Sequence, residues 1–158
     1  MSVRVLFVCL GNICRSPTAE GVFRQRAADQ GLRDFLTDSA GTSGWHIGKR
    51  PDPRTLRAAE RRGYDLSALR GRQVSVEDFT AFDLILAMDQ QNLADLRKIA
   101  PRHHPASLGL LLDYADGLSV RDVPDPYYGG EQGFDDVLDM IEQACDGLIT
   151  SLREGRAP

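Results

Sequence analysis

The stretch that decides the fold is Val3-Arg4-Val5-Leu6-Phe7-Val8-Cys9-Leu10-Gly11-Asn12-Ile13-Cys14-Arg15-Ser16-Pro17. Residues 3–8 are mostly β-branched, aromatic or otherwise apolar, which is typical of a strand buried on both faces of a parallel sheet. A turn with Gly and Asn follows, and then Ser16 and Pro17 suit the cap and the first position of a helix. The stretch therefore predicts a strand, a tight loop and a helix.

The rest of the chain repeats this alternation. The first helix would bury Ala19, Val22, Phe23 and Ala27 and end at Gly31. Further strands are predicted over 35–40, 83–88 and 107–112, and further helices over 54–62, 89–100 and 134–152, with a long ordered loop over 113–133. Strands that alternate with helices predict an α/β fold, a doubly wound four-stranded parallel sheet flanked by helices. Residues 1–158 are expected to form one domain, with ligands bound beyond the carboxyl ends of the strands.

The composition narrows the class of protein. The net charge of -4, with no basic stripe among aromatic residues, argues against nucleic-acid binding. No apolar segment is long enough for a membrane span or a signal-peptide core, and three cysteines are too few for a disulfide framework, so we expect a cytoplasmic protein with free thiols. Residues 49–72 hold eight Lys or Arg, and 113–146 hold ten acids. Solvated helix faces are the simpler interpretation of these charges, and steering of an anionic ligand is the alternative.

The loop after the first strand has the features of a phosphate-binding loop. Cys9 and Arg15 are separated by five residues, and the loop leads into a helix N-terminus. Backbone N–H groups that point into one concavity there can bind a dianionic phosphate, and Gly11 and Asn12 tolerate the left-handed backbone that the loop requires. The predicted phosphate-binding residues are Leu10, Gly11, Asn12, Ile13, Cys14, Arg15 and Ser16.

The same loop would make Cys9 a nucleophile. The helix dipole and the N–H donors favour an ionised thiolate, and the Ser16 hydroxyl can donate to it. Arg15 offers a planar fork that can grip two phosphoryl oxygens in the transition state. The alternative is a buried strand-end cysteine beside a surface arginine, but the placement between strand and helix speaks against it.

A general acid is predicted in the segment 122–130. Asp125 has a proline on each side, which stiffens the backbone around a carboxyl that must protonate a leaving oxygen. An ordinary Asp-Pro turn is the alternative, but Tyr127 and Tyr128 beside it can hold an aryl phosphate. Trp45 is predicted as the facing wall, unless it is only a loop anchor. The predicted substrate pocket consists of Leu10, Trp45, Tyr127 and Tyr128.

Two other patterns carry no site. Residues 44–49 resemble a nucleotide-binding loop, but only three residues separate the glycines and Arg50 follows where Ser or Thr is needed. His46, His103 and His104 have no metal-ligand spacing with the cysteines. We therefore expect neither a metal nor a cofactor.

Taken together, these motifs resemble the low-molecular-weight protein tyrosine phosphatase family over essentially the whole chain. They occur in the family's order: the phosphate loop, Asp38-Ser39-Ala40-Gly41-Thr42, the strand 83–88 followed by Asp89, and Asp125-Pro126-Tyr127-Tyr128. The resemblance implies a four-stranded parallel sheet with helices on both faces. It also implies Cys9 as nucleophile, Arg15 as phosphate clamp and Asp125 as acid and then base.

The resemblance adds roles for the residues around the loop. Asn12 and Ser39 match positions that support the loop, and Ser16 matches the one that assists the thiolate. Cys14 matches a second cysteine that can form a reversible disulfide with the nucleophile. One departure concerns Leu69, because many members carry a His ahead of an Ala-Arg-Gln sequence where this chain has Leu69-Arg70-Gly71-Arg72-Gln73. The sequence therefore leaves open whether Asn12 is supported from that side.

The resemblance also implies the partners. The expected substrate is a phosphotyrosine-containing protein or a small aryl phosphate, with phosphate and vanadate as inhibitors. Nucleic acid and membrane are not expected as partners, and the enzyme is expected to be a monomer.

Two rival functions remain open from the sequence. A thioredoxin-coupled arsenate reductase shares the loop, but it needs two further cysteines, and here only Cys145 is left, alone on the last helix. A non-catalytic phosphotyrosine-binding module would need neither Cys9 nor Asp125.

Overall fold

The computed structural model describes residues 2–155, and at its centre lies a four-stranded, all-parallel sheet. The strands are β1 (Val3–Cys9), β2 (Phe35–Gly41), β3 (Leu84–Ala87) and β4 (Ser107–Leu110). Their order across the sheet is β2-β1-β3-β4. The chain thus adds β2 on one side of β1 and β3 and β4 on the other, as a doubly wound sheet does.

Helices cover both faces of this sheet. They are α1 (Arg15–Asp29), α2 (Pro53–Arg61), α3 (Asp78–Ala81), α4 (Gln90–Ile99) and α5 (Glu131–Arg153). α1, α2 and α5 pack on the face that carries Val5 and Phe7, whereas α3 and α4 pack on the face that carries Leu6 and Val8. Because alternate side chains of a strand point to opposite faces, residues 5–9 of β1 are buried on both sides of the sheet, while Val3 and Arg4 are partly exposed. The predicted fold class is confirmed.

The topology places the end of β1 where the strand order reverses. Cys9 lies opposite Gly41 of β2, and Val8 lies opposite Ala87 of β3. The carboxyl ends of these three strands therefore meet at one edge, which is where doubly wound sheets form their ligand crevice.

The start of α1 differs from the prediction. The helix begins at Arg15, its N-cap residue is Cys14, and no side chain makes a cap hydrogen bond. The predicted cap at Ser16 is wrong, because the Ser16 hydroxyl contacts the Cys9 sulfur at 3.0 Å instead. The first turn of α1 has no acidic residue, and Glu20 lies in the second turn, where it is buried.

Other boundaries shift for local reasons. β4 ends at Leu110 because a 3-10 turn over Leu111–Tyr114 takes up the last residues of the predicted strand. α3 was not predicted, since a four-residue helix is too short to show a helical period. α2 starts at Pro53 after an Asp52 cap that accepts a hydrogen bond from the Arg54 N–H, and α5 starts at Glu131. Within residues 2–155, none of the helices combines the length and the apolar character needed to cross a membrane.

The close approach of α5 to the 3-10 turn yields a stability prediction. A Cβ at position 147 would overlap the backbone oxygen of Tyr114, so only glycine fits there. We expect Gly147→Ala to lower the free energy of unfolding by about 1–3 kcal/mol, as overpacking does. The matched control is Gly133→Ala in the first turn of α5, where the nearest atom is the Pro126 Cβ at 3.7 Å. That variant should gain about 0.4–1 kcal/mol. Urea denaturation measures both, and a Gly147→Ala variant as stable as the parent would contradict the packing.

Candidate active site

The loop between β1 and α1 surrounds the sulfur of Cys9. Cys9 Sγ accepts a hydrogen bond from the Asn12 N–H at 3.3 Å and lies 3.0 Å from the Ser16 hydroxyl oxygen. Cys9 is only 2% exposed, although it lines the cleft described below. Asn12 has a φ of 57°, in the left-handed region, which turns its N–H toward the sulfur. The sulfur thus accepts one backbone N–H and shares a hydrogen bond with one hydroxyl, in which either group can be the donor.

The side chain of Asn12 fixes this strained backbone from three directions. Its Nδ2 donates to the hydroxyl oxygens of Ser16 at 2.8 Å and Ser39 at 3.0 Å. Its Oδ1 accepts from the backbone N–H of Arg72 at 2.9 Å. The sequence left open whether Asn12 is supported from the 69–73 side, and the backbone N–H of Arg72 supplies that support. Leu69 itself packs against the hydrophobic core.

Buried polar groups continue this network away from the loop. The Ser39 hydroxyl donates to Glu20 Oε1 at 2.7 Å, and Arg24 pairs with Glu20 Oε2 at 2.7 Å. Burial raises the pKa of Glu20, and the hydrogen bonds from Ser39 and Arg24 oppose that rise. The side chain of Arg72 pairs with Asp38 and Asp78 at 3.0 Å each, which fixes the backbone that serves Asn12.

Arg15 lies beneath the cleft and is 3% exposed. Its Nη1 donates to Asp89 Oδ2 at 2.6 Å and to the Val123 carbonyl at 3.0 Å. Burial alone would lower the pKa of Arg15, but the Cys9 sulfur and the carboxylates of Asp89 and Asp125 outweigh it and raise that pKa. Arg15 is thus a buried, oriented cation and not a surface charge.

Asp125 approaches the same guanidinium from the segment before α5. Its Oδ2 lies 3.6 Å from Arg15 Nη2, and its Oδ1 accepts the Tyr127 N–H at 3.1 Å. The Asp125 side chain is partly exposed at the edge of the cleft. The structure therefore brings the three predicted catalytic residues, Cys9, Arg15 and Asp125, around one opening.

The opening is a cleft with a polar floor and aromatic walls. Trp45 is 72% exposed and Tyr128 is 92% exposed, so both stand at the rim, and Tyr127 contacts Tyr128 edge-on with ring centroids 5.0 Å apart. Of the predicted phosphate-binding residues, Asn12 and Ser16 do not line the cleft. The Asn12 side chain instead contacts Ser16 and Ser39. The lining residues are Cys9, Leu10, Gly11, Ile13, Cys14, Arg15, Trp45, His46, Asp125, Tyr127 and Tyr128.

Cys14, the second cysteine of the loop, is buried to a similar extent as Cys9. This burial raises the pKa of the Cys14 thiol to about 12. The thiol of Cys14 therefore stays protonated at neutral pH. All three cysteines are free thiols. Within residues 2–155, His, Cys, Asp and Glu side chains form no group of three or more suited to hold a metal ion.

Comparison with known proteins gives the site its context. The family model described as low molecular weight phosphotyrosine protein phosphatase matches residues 4–157. This chain belongs to that family. The family prediction is thereby confirmed, and the members of this phosphatase family are hydrolases.

Relatives from distant organisms match nearly the whole chain. The low molecular weight protein-tyrosine-phosphatase YfkJ of Bacillus subtilis is 44% identical over 153 residues, which cover 96% of this chain and 97% of YfkJ. The human low molecular weight phosphotyrosine protein phosphatase is 43% identical over 148 residues, or 92% of each chain. A crystal structure of a protein tyrosine phosphatase from Entamoeba histolytica, with Hepes in the active site, is 41% identical. It superposes with a TM-score of 0.94 and covers 98% of this chain and 99% of that one.

Several residues of this phosphatase-family site escaped the sequence analysis. Asp89 belongs to the motifs that carry the resemblance, but its contact with Arg15 was not predicted, because it joins residues 74 positions apart. Asp89 also caps α4 by accepting from the Asn92 N–H. His46 was considered only as a metal ligand, yet it lines the cleft, where a Cβ on Gly11 would come within 3.0 Å of its ring. No sequence pattern around His46, which follows Gly44 and Trp45 in a loop, indicates that its ring lies beside Gly11.

The different environments of the cysteines predict the order of alkylation. With iodoacetate at about pH 7, we expect Cys9 to react at least about tenfold faster than Cys14. Both sulfurs are buried, but burial raises the pKa of Cys14 and keeps its thiol protonated, whereas the Cys9 sulfur accepts the Asn12 N–H. Cys145 is buried and also has a raised pKa, so it should react slowly too. Peptide mass spectrometry over time measures the three rates, and inorganic phosphate should slow only the modification of Cys9. Faster labelling of Cys14 would contradict this assignment.

Proposed function

We propose that this chain hydrolyses phosphotyrosine and other aryl phosphates through a cysteinyl-phosphate intermediate on Cys9. The observation that carries the proposal is the sulfur of Cys9 at the floor of the cleft, with the Asn12 N–H and the Ser16 hydroxyl aimed at it. A reactive cysteine needs such donors to stay ionised at neutral pH. A residue that only filled the core would have no need for them.

In the first step the thiolate attacks phosphorus and the bond to the aryl oxygen breaks. The electron pair of that bond goes to the leaving oxygen, which takes a proton from the Asp125 carboxyl. Arg15 neutralises charge on the phosphoryl oxygens as the bond order changes. Because Asp89 and Val123 hold its Nη1, the guanidinium keeps one orientation throughout.

In the second step water attacks the phosphorus of the intermediate. The phosphorus–sulfur bond breaks, its electron pair returns to Cys9, and the Asp125 carboxylate takes a proton from the water. Inorganic phosphate leaves and the site returns to its starting state. In this mechanism Ser16 stabilises the thiolate, while Asn12 and Ser39 keep the loop in shape.

The walls of the cleft support an aryl substrate. Leu10, Trp45, Tyr127 and Tyr128 present apolar and aromatic surface above the floor, and flat rings pack well against such surfaces. A solved relative, Wzb of Vibrio vulnificus, is described in complex with benzylphosphonate, itself an aromatic phosphonate. Another, 32% identical, is described as a Drosophila arginine phosphatase, so phosphoarginine belongs among the substrates to compare.

Further parts of the proposal concern the protein as a whole. We expect residues 1–158 to act as one phosphatase domain, monomeric and cytoplasmic, with phosphate and vanadate as inhibitors. Under oxidation, Cys14 would form a reversible disulfide with Cys9.

The arsenate reductase alternative is less well supported by the structure. Cys145 lies in the middle of α5, fully buried, and its sulfur faces the Ala19 carbonyl at 4.0 Å. It does not line the cleft, so it could not relay a disulfide from Cys9 without a large rearrangement. Arsenate turnover with a thiol-recycling system, in the absence of phosphatase activity, would favour that alternative.

Replacement of the nucleophile tests the covalent route. Cys9→Ser should lower the hydrolysis of an aryl phosphate by at least about 10³-fold, because a hydroxyl in this loop is not ionised at neutral pH. The control is Cys145→Ser, which should retain activity. Binding of phosphate, measured by calorimetry, should persist in Cys9→Ser. Turnover near the parental rate in Cys9→Ser would rule out the intermediate. If the protein were a non-catalytic binding module, the unmodified protein would not hydrolyse the substrate.

Replacement of the acid tests the proton transfer. We expect Asp125→Asn to lower kcat/KM by about 10²-fold for phenyl phosphate and far less for a dinitrophenyl phosphate, whose leaving group needs no proton. The measurement is kcat/KM across a series of aryl phosphates, alongside phosphotyrosine, phosphoserine and phosphoarginine substrates. In separate reactions, a chelator should leave the hydrolysis rate unchanged, and vanadate should lower it. An equal loss for all leaving groups would contradict the assigned role.

A further inference from the structure

The backbone that carries Asp125 is attached to the rest of the fold at few points. Its start is anchored, because the Val123 N–H donates to the Met88 carbonyl at 2.8 Å and the Val123 carbonyl accepts from Arg15. Beyond Val123 the chain runs as an irregular segment until α5 begins. Within residues 2–155, Arg54 is the one side chain that donates hydrogen bonds to backbone oxygens of residues 124–130.

Arg54 reaches this segment from α2, on the other side of the cleft entrance. Its Nη2 donates to the Tyr127 carbonyl at 2.8 Å, and its Nη1 donates to the Gly129 carbonyl at 3.4 Å. Its guanidinium carbon also lies 5.6 Å from the Tyr127 ring centroid and 4.7 Å from that of Phe134. One side chain thus contacts the segment after Asp125 and the first turn of α5.

The other end of this connection is the phosphate loop. Arg54 forms a two-point ion pair with Asp52, with Nη2 to Oδ2 at 2.9 Å and Nε to Oδ1 at 3.1 Å. Asp52 is 8% exposed, and its backbone N–H donates to the Ile13 carbonyl at 2.8 Å. A paired, buried carboxylate holds a guanidinium in one geometry. Arg54 therefore connects the segment of Asp125 to the loop of Cys9.

We propose that Arg54 is a positioning residue that sets where the Asp125 carboxyl lies relative to the Cys9 sulfur. The link is short: Arg54 holds the Tyr127 carbonyl, and the Tyr127 N–H donates to Asp125 Oδ1 at 3.1 Å. Arg54 does not line the cleft, so it acts on the reaction through Asp125. The inference rests on the proposed role of Asp125 as the general acid.

The test is Arg54→Ala, measured as kcat/KM over the same series of aryl phosphates. We expect a loss of about tenfold for phenyl phosphate and less than about threefold for a dinitrophenyl phosphate, because a displaced acid matters most where a proton is needed. The inhibition constant of inorganic phosphate should stay within about threefold, since Arg54 makes no direct contact with the phosphate site. Arg54→Lys keeps the charge but loses the fork, so it should fall between the parent and Arg54→Ala.

A double variant separates positioning from general destabilisation. If Arg54 acts through Asp125, Arg54→Ala should have no further effect on the leaving-group dependence in an Asp125→Asn background. The matched control is Arg121→Ala. Arg121 forms a similar two-point pair, with Asp113, on the same long connection, but it donates no hydrogen bond to residues 124–130. That variant should have the parental leaving-group dependence.

The outcomes distinguish the two proposals. Suppose that Asp125→Asn shows the expected leaving-group dependence. The inference about Arg54 alone is then overturned if Arg54→Ala lowers kcat/KM equally for all leaving groups, or equally in the parental and Asp125→Asn backgrounds. An Asp125→Asn variant with the parental leaving-group dependence overturns the acid role and the inference together. If Arg54→Ala does not fold, the same comparison is made with Arg54→Lys.

Discussion

The contact between the Cys9 sulfur and the donors around it is the interaction on which the rest of the site depends. In the proposed mechanism this sulfur is an anion, and an anion that is almost removed from solvent costs free energy unless fixed donors replace the lost water. Here the Asn12 N–H and the Ser16 hydroxyl provide them, and the Asn12 N–H can do so only in a left-handed conformation. That conformation is strained for a non-glycine residue. Much of the surrounding polar structure serves to hold it.

The fold meets this demand by bringing distant parts of the chain to one strand end. Ser39 comes from β2, Arg72 from the connection before α3, and Asp89 from the end of β3. Parallel strands with a reversal in their order place these groups at the same edge. The buried side chains of Asn12, Arg15 and Ser39 each have hydrogen-bond partners, as a low-dielectric site requires. The result is a rigid floor beneath walls that stay open to solvent.

The sequence predicted what depends on short-range order and missed what depends on tertiary contact. The strand, loop and helix from Val3 to Arg15 could be inferred, because burial pattern and turn residues are local signals. The pairing of Arg15 with Asp89 and the place of His46 beside Gly11 could not, since they follow from how separate segments pack. The predicted helix cap at Ser16 was wrong for a physical reason, because the Ser16 hydroxyl contacts the Cys9 sulfur and not the backbone at the helix start.

The support of Asn12 by the backbone of Arg72 has an evolutionary consequence. A main-chain N–H is present in every amino acid except proline, so nineteen of the twenty residue types could in principle supply this donor at position 72. The path of the chain must also persist, and here it depends on the Arg72 side chain itself, whose guanidinium pairs with Asp38 and Asp78. A family position can therefore lose its usual side chain, as at Leu69, while the loop stays intact. Substitution of the side chain at position 69 therefore leaves the hydrogen bond from the Arg72 backbone to Asn12 in place.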